Sequence, residues 1–132
     1  MISSILSNSI SGLRAAGSRI LNSAENISHA NTTGRAGTDG EVRGTFRPQQ
    51  VQQTSVVGGG VETRRVPVTP ATVPVYAPDT STAGADGMVA MPNVSLETEA
   101  VHLVRAETAY RANLKVIETA DEMLGVLLDR DS

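Results

Sequence analysis

Apolar residues recur with helical spacing at the two ends of this chain and nowhere between them. Toward the C-terminus Leu96, Ala100, Leu103, Tyr110, Leu114, Ile117, Leu124 and Leu128 fall on one alternating four-and-three spacing, which keeps a single seam on one side of a supercoiled helix. At the N-terminus Ile2, Leu6, Ile10, Leu13, Gly17, Ile20, Ala24 and Ile27 are spaced by threes and fours. A helix over residues 95–128 is about 50 Å long at 1.5 Å per residue, too long for one small core to cover. A chain of 132 residues has length for about one domain, yet its apolar order sits where a self-contained globule has least use for it. Such ends look for partners.

The second helix has a well-signalled start. Pro92 precedes it, Asn93 or Ser95 supplies the N-cap, and Glu97 and Glu99 sit near the positive end of the helix dipole. Two positions on its seam are acidic, Glu107 and Asp121. Such interruptions weaken a simple two-stranded seam, and are easier to accommodate where several helices meet or where a neighbour offers an Arg. The first helix is lean, since Ser3, Ser4, Ser7, Ser9, Ser11, Gly12, Ala15, Ala16, Gly17 and Ser18 are small. Its intrinsic propensity is mediocre, but neighbouring helices can approach closely. Because most helical stability comes from packing an apolar face, the isolated monomer is expected to have frayed ends.

Composition narrows the function. Aromatics make up 2% of the chain and Trp is absent, so no base-stacking platform is available and nucleic-acid binding is not expected. Residues 1–65 carry seven Lys/Arg against four Asp/Glu, and residues 66–132 carry four against ten. Ends of opposite sign suit association of N-terminal with C-terminal segments, within a subunit or between subunits. With no Cys, disulfides, thiolate metal sites and Cys nucleophiles are excluded. The first residues lack a positive n-region and a continuous apolar stretch, so no cleaved secretory signal is expected. No run approaches the length of a membrane span.

The middle of the chain begins at Asn31-Thr32-Thr33-Gly34, where turn residues end the first helix. Residues 34–44 are Gly-rich and read as a mobile loop. Residues 61–68 and 73–76 are Val-rich, but Pro67, Pro70, Pro74 and Pro78 restrict them to short or edge strands, and one small hairpin or sheet is the expected maximum. Gly58-Gly59-Gly60 lacks the following Gly-Lys-Ser/Thr of a phosphate cradle and reads as a turn. The fold class is therefore mainly α with a small β or extended middle. Its parts are an N-terminal helix over residues 1–33, a Gly/Pro-rich loop and short β segment over 34–92, and a C-terminal helix over 93–132.

Candidates for chemistry are weak. His29 and His102 belong to no metal-spaced motif, and the Glu118, Asp121, Glu122 group reads as a solvated helix face. Glu107 and Asp121 lie four turns apart, too distant for an acid/base pair. Asn26-Ile27-Ser28, Asn31-Thr32-Thr33 and Asn93-Val94-Ser95 match a glycosylation pattern that arises often by chance. No catalytic, cofactor-binding or metal-ligating residue is assigned, and no small-molecule substrate is expected.

Residues 23–34, running Ser-Ala-Glu-Asn-Ile-Ser-His-Ala-Asn-Thr-Thr-Gly, resemble the N-terminal signature of the axial proteins of the bacterial flagellum, the rod and hook group. Within it fall Asn26, Ala30, Asn31, Thr33 and Gly34. Further along come Tyr76 and Pro78, then Asp86 and Gly87, then Pro92 and Asn93, then Tyr110 and Asn113. In that order they resemble the C-type proximal rod branch of the group, and the similarity spans nearly the whole chain. Arg35 stands where that signature commonly has an aromatic, and residues 35–47 do not follow the usual pattern.

The resemblance implies a structural subunit without cofactor or enzymatic activity. Its terminal helices would pack as a coiled coil with those of other copies in a helical tube, the periplasmic drive shaft that carries motor torque to hook and filament. It implies export through the flagellar type III apparatus without a cleaved signal, and contact with other rod proteins and a membrane-ring protein. The subunit-interface residues expected are Leu13, Ile20 and Ile27 on the first helix, with Leu103, Tyr110, Leu114, Ile117 and Leu124 on the second. Two other classes fit less well: a soluble helical adaptor or export chaperone of a type III secretion system, and a wall hydrolase, for which no paired carboxylates or metal group are visible.

Overall fold

A computed structural model of the chain describes residues 2–36 and 42–130. Two long helices, α1 (Ile2–His29) and α2 (Leu96–Arg130), flank six short strands among those residues. Ser95 caps α2: its hydroxyl oxygen accepts from the Thr98 amide at 3.3 Å, while its carbonyl takes the Glu99 amide at 3.0 Å. Asn93 is not the cap, because its side chain donates to the Pro70 carbonyl at 3.0 Å. Glu97 completes the turn. Its own backbone amide, then the Ser95 hydroxyl, hold its carboxyl below the usual range, as expected at a helix N-terminus.

The helices pack antiparallel. Asn26 on α1 hydrogen-bonds Glu99 on α2 at 2.8 Å, and Gly12 faces Asn113 further along the pair. The face that closes this hairpin is built from small residues, with Ala15 and Ala16 on α1 and Ala106 and Ala120 on α2 all buried. Among the apolar positions expected to form the α2 seam, Leu103 and Ile117 are half-buried, while Leu96, Tyr110, Leu114, Leu124 and Leu128 remain exposed. The contact face within the chain is thus rotated from the large-residue seam toward Ala106, Asn113 and Ala120. Small side chains allow the backbones to approach closely.

Gly12 shows how close the approach is. A Cβ built there would lie 2.5 Å from Asn113 Oδ1, and Asn113 is held by its own bond from Nδ2 to the Ala109 carbonyl at 2.8 Å. Gly12→Leu is expected to destabilise the hairpin by about 1–3 kcal/mol through overpacking. Thermal unfolding of that variant alone and with Asn113→Ala checks this, since the second change should recover part of the loss.

The middle holds more order than expected. Three two-stranded antiparallel sheets form: β1 (Arg35–Ala36) with β2 (Val42–Arg43), β3 (Gln49–Ser55) with β4 (Val61–Pro67), and β5 (Thr72–Tyr76) with β6 (Met88–Pro92). This corrects the expectation of at most one hairpin. Every strand in a two-stranded sheet is an edge, which is where Pro67, Pro74 and Pro92 are tolerated. It also corrects the expectation of a loop over residues 34–44, whose described flanks pair as β1 and β2; residues 37–41 of that stretch lie outside the described residues.

Gly58, Gly59 and Gly60 form the β3–β4 turn with positive φ, where Val56 donates to the Gly60 carbonyl at 3.1 Å. The ribbon lies along α1. Its turn end is tied by the Val61 amide donating to Ser11 Oγ at 3.2 Å, and its other end meets Asn22 and Asn26. The β5–β6 pair carries the best-buried aliphatic side chain of the middle, Val89, with Ala90 beside it.

Candidate functional site

Asn26 is 1% exposed and joins three elements. Its Nδ2 donates to the Gln49 carbonyl and to Glu99 Oε1, both at 2.8 Å, while its Oδ1 accepts from the Gln49 amide at 3.2 Å. One turn earlier, Asn22 Nδ2 donates to the same Gln49 carbonyl at 2.7 Å. The two amides clamp the start of β3 onto α1 and tie α2 to both. An ion pair between Arg65 and Glu25 at 2.7 Å fastens β4 beside them.

Of the other signature residues, Tyr110 and Asn113 lie mid-way along α2, with Asn113 against Gly12, and the rest lie toward the end of α1 or about the β5–β6 pair. Ala30 is buried below α1, and Gly34 exchanges backbone hydrogen bonds with Ala90 at 2.8 and 2.9 Å. A Cβ at Gly34 would lie 2.7 Å from the Arg43 carbonyl oxygen, so only glycine fits between β6 and β2. Thr33 accepts from the Thr82 hydroxyl at 2.9 Å, whereas Asn31 is exposed. Gly87 adopts φ of 75°, with Tyr76 and Pro78 packed against it; Asp86 Oδ1 accepts from the Met88 amide at 3.1 Å. Pro92 is buried, and Asn93 anchors the entry to α2. These residues build the connector and hold no reactive constellation. His29 stacks on Phe46 with ring centroids 4.6 Å apart.

A polar cleft of about 300 Å³ opens beside the joint, lined by Arg19, Asn22, Gln49, Glu99, His102 and Arg105 among others. There His102 Nδ1 stands 3.6 Å from Glu99 Oε2. No group of three or more metal-ligating side chains occurs among the described residues, and no described helix is long and apolar enough to cross a membrane.

Large apolar side chains stand exposed on both helices. On α2, Tyr110 is 40% exposed, Leu114 43% and Leu128 71%, and with Leu96 and Leu124 they mark a stripe beside the hairpin contact. On α1, Leu6, Ile10 and Leu21 are exposed, while Leu13, Ile20 and Ile27 are half-buried. The antiparallel register carries the end of α2 beyond the start of α1, and Met123, Leu124, Val126, Leu127 and Leu128 there are all exposed. Patches of this extent mark interaction surfaces. The acids that interrupt the stripe differ: Glu107 is paired with Arg111 in its own helix at 2.6 Å, whereas Asp121 stands exposed between Ile117 and Leu124. Lys115, off the stripe, is raised above its ordinary value by its hydrogen bond to Glu118 at 2.9 Å, with help from Glu122.

Sequence reasoning missed Asn22, Gln49 and Glu99 as parts of the joint. The available signal was a pair of Asn residues four apart on the small-residue side of α1; their partner is a backbone carbonyl, which has no sequence signature.

Comparison with known proteins gives the surface a context. The family described as flagellar basal body rod FlgEFG protein C-terminal matches residues 85–130. The chain is 33% identical over 120 residues to the flagellar basal-body rod protein FlgC of Salmonella typhimurium strain LT2, covering 86% of each chain. The FlgC proteins of Yersinia enterocolitica, at 32%, and Escherichia coli O157:H7, at 33%, align over the same share of each chain.

Proposed function

Because the chain belongs to the flagellar basal-body rod proteins, we propose that its exposed helical stripes are the surfaces through which it polymerises into the rod. It is a structural subunit of the basal-body rod and not an enzyme. The observation that carries the assembly reading is the division of labour on the helices. The hairpin closes largely on small residues, and many large aliphatics, among them Leu6, Ile10 and Leu21 on α1 and Leu114, Leu124 and Leu128 on α2, are left exposed. Covering them with neighbouring helices stabilises the assembly by roughly 25 cal/mol per Å² of apolar area buried.

In this reading α1 and α2 of many copies, with those of other rod proteins, pack as coiled coils in a periplasmic tube. The interface residues are Leu13, Ile20, Ile27, Leu103, Tyr110, Leu114, Ile117 and Leu124, with the strand pairs of residues 34–92 as connector or outer contact. Heterologous contacts that do not close into a ring generate a helical assembly, and long interdigitated helices pass torque from subunit to subunit without slip. The chain reaches the periplasm through the flagellar export apparatus without a cleaved signal, marginally folded until docking orders its ends, and meets a membrane-ring protein at the base. An adaptor or export chaperone is not supported by the relatives, which are rod proteins.

A strain deleted for the chain tests this. Its basal bodies, viewed by electron microscopy, are expected to lack the rod beyond the membrane ring and to regain it on complementation. Intact rods in the deletion strain would defeat the proposal.

A further inference from the structure

We infer that Arg14 of one copy pairs with Asp121 of a second copy, and that this pair sets the register at which the α1 stripe of one subunit lies on the α2 stripe of the next. The inference rests on the assembly reading above and adds the identity of the neighbour and a fixed offset. Asp121 sits within the α2 stripe, one turn from Ile117 and from Leu124, and is exposed. Arg14 follows Ile10 by one turn on α1, at the flank of that helix's exposed apolar residues, and is also exposed.

The other acid within the α2 stripe itself, Glu107, is engaged. Glu107 is paired with Arg111 and Glu118 with Lys115, while Glu99 takes the Asn26 amide. On α1, Arg19 lines the cleft beside Glu99, which makes Arg14 the cation presented outward. The two cannot meet within one chain. Gly12 faces Asn113 and Asn26 bonds Glu99, a register that sets Arg14 opposite Arg111, about ten residues or about 15 Å along the helix from Asp121.

Once neighbouring aliphatics cover the stripe, Asp121 loses water, and a carboxylate so placed is costly unless a cation meets it. A guanidinium does so with two parallel hydrogen bonds. A second copy supplies one on α1, which carries the exposed Leu6, Ile10 and Leu21, and the opposite charge of the two chain halves favours that approach. A single charged pair in an otherwise apolar contact discriminates between registers that Leu and Ile alone would leave nearly equivalent.

The test uses the full chain in the deletion strain, with secreted protein measured in parallel. Arg14→Asp alone and Asp121→Arg alone are each expected to lower the number of rods per cell about tenfold or more, since like charges face each other in the contact. The double exchange should restore most of them. Because the natural chain has no Cys, an Arg14→Cys/Asp121→Cys chain gives a second readout: oxidation of isolated basal bodies should produce a ladder of dimers and higher multimers. Rods at natural number in both single variants would overturn the pairing. So would a double exchange no better than the singles, which would place another rod protein opposite, or a monomer-only pattern after oxidation. Failure of the assembly reading itself is told apart, because rods would then persist in the deletion strain.

Discussion

Leu114→Asp is expected to leave the subunit folded and secreted, yet to give cells with no rod beyond the membrane ring and no swimming in soft agar. Leu114 is 43% exposed on the α2 stripe and outside the small-residue face that closes the helical hairpin. A carboxylate there meets water in the free subunit, so the melting temperature of the purified chain should move little, as for surface substitutions generally. In the assembly the same carboxylate would be covered by neighbouring aliphatics without a partner, a cost of several kcal/mol repeated at every subunit. Swimming zones and basal-body micrographs read the first outcome, and thermal unfolding reads the second.

Asn26→Ala should act on the subunit itself. The side chain is buried and its Nδ2 and Oδ1 make three hydrogen bonds, to both backbone groups of Gln49 and to Glu99. Removing it strips partners from a region where Asn22 Oδ1 and Glu99 Oε2 are already buried without one. At about 1–3 kcal/mol per buried group left unpaired, the loss is about 2–5 kcal/mol, a large share of the ~5–15 kcal/mol available to a whole domain. Asn26→Asp should be no milder, because it trades two donors for a charge facing Glu99. Denaturant titration of the two variants checks the magnitude and the order.

The two helices were readable from the sequence because threes and fours persisted over many turns and Ser95 and Pro92 marked the start of α2. The face used inside the chain was not. Hydrophobic periodicity weights Leu, Ile and Tyr above Ala and Gly, so it found the stripe of large residues; the hairpin closes on Ala15, Ala16, Ala106 and Ala120, where interhelical distance decides. Periodicity cannot say whether a stripe meets the chain's own second helix or another subunit.

The β pairs were underestimated for a related reason. Pro74 interrupts a Val-rich run and argues against a central strand, but β5 has a partner on one side only. The separation between β5 and β6 also hides their pairing from any local pattern. The Asn26 joint was visible only as part of a family signature, and its role became clear with Gln49 beside it. The interruption at Glu107 has a local answer in Arg111, and Asp121 is the acid that points beyond the subunit.

Electron cryomicroscopy of basal bodies at side-chain resolution tests the central claim most directly. In the rod, α1 and α2 are expected to keep their antiparallel hairpin while Ile10, Tyr110, Leu114 and Leu128 are covered by helices of neighbouring subunits. A rod in which those side chains face solvent, with subunits joined only through the strand pairs of residues 34–92, would contradict it.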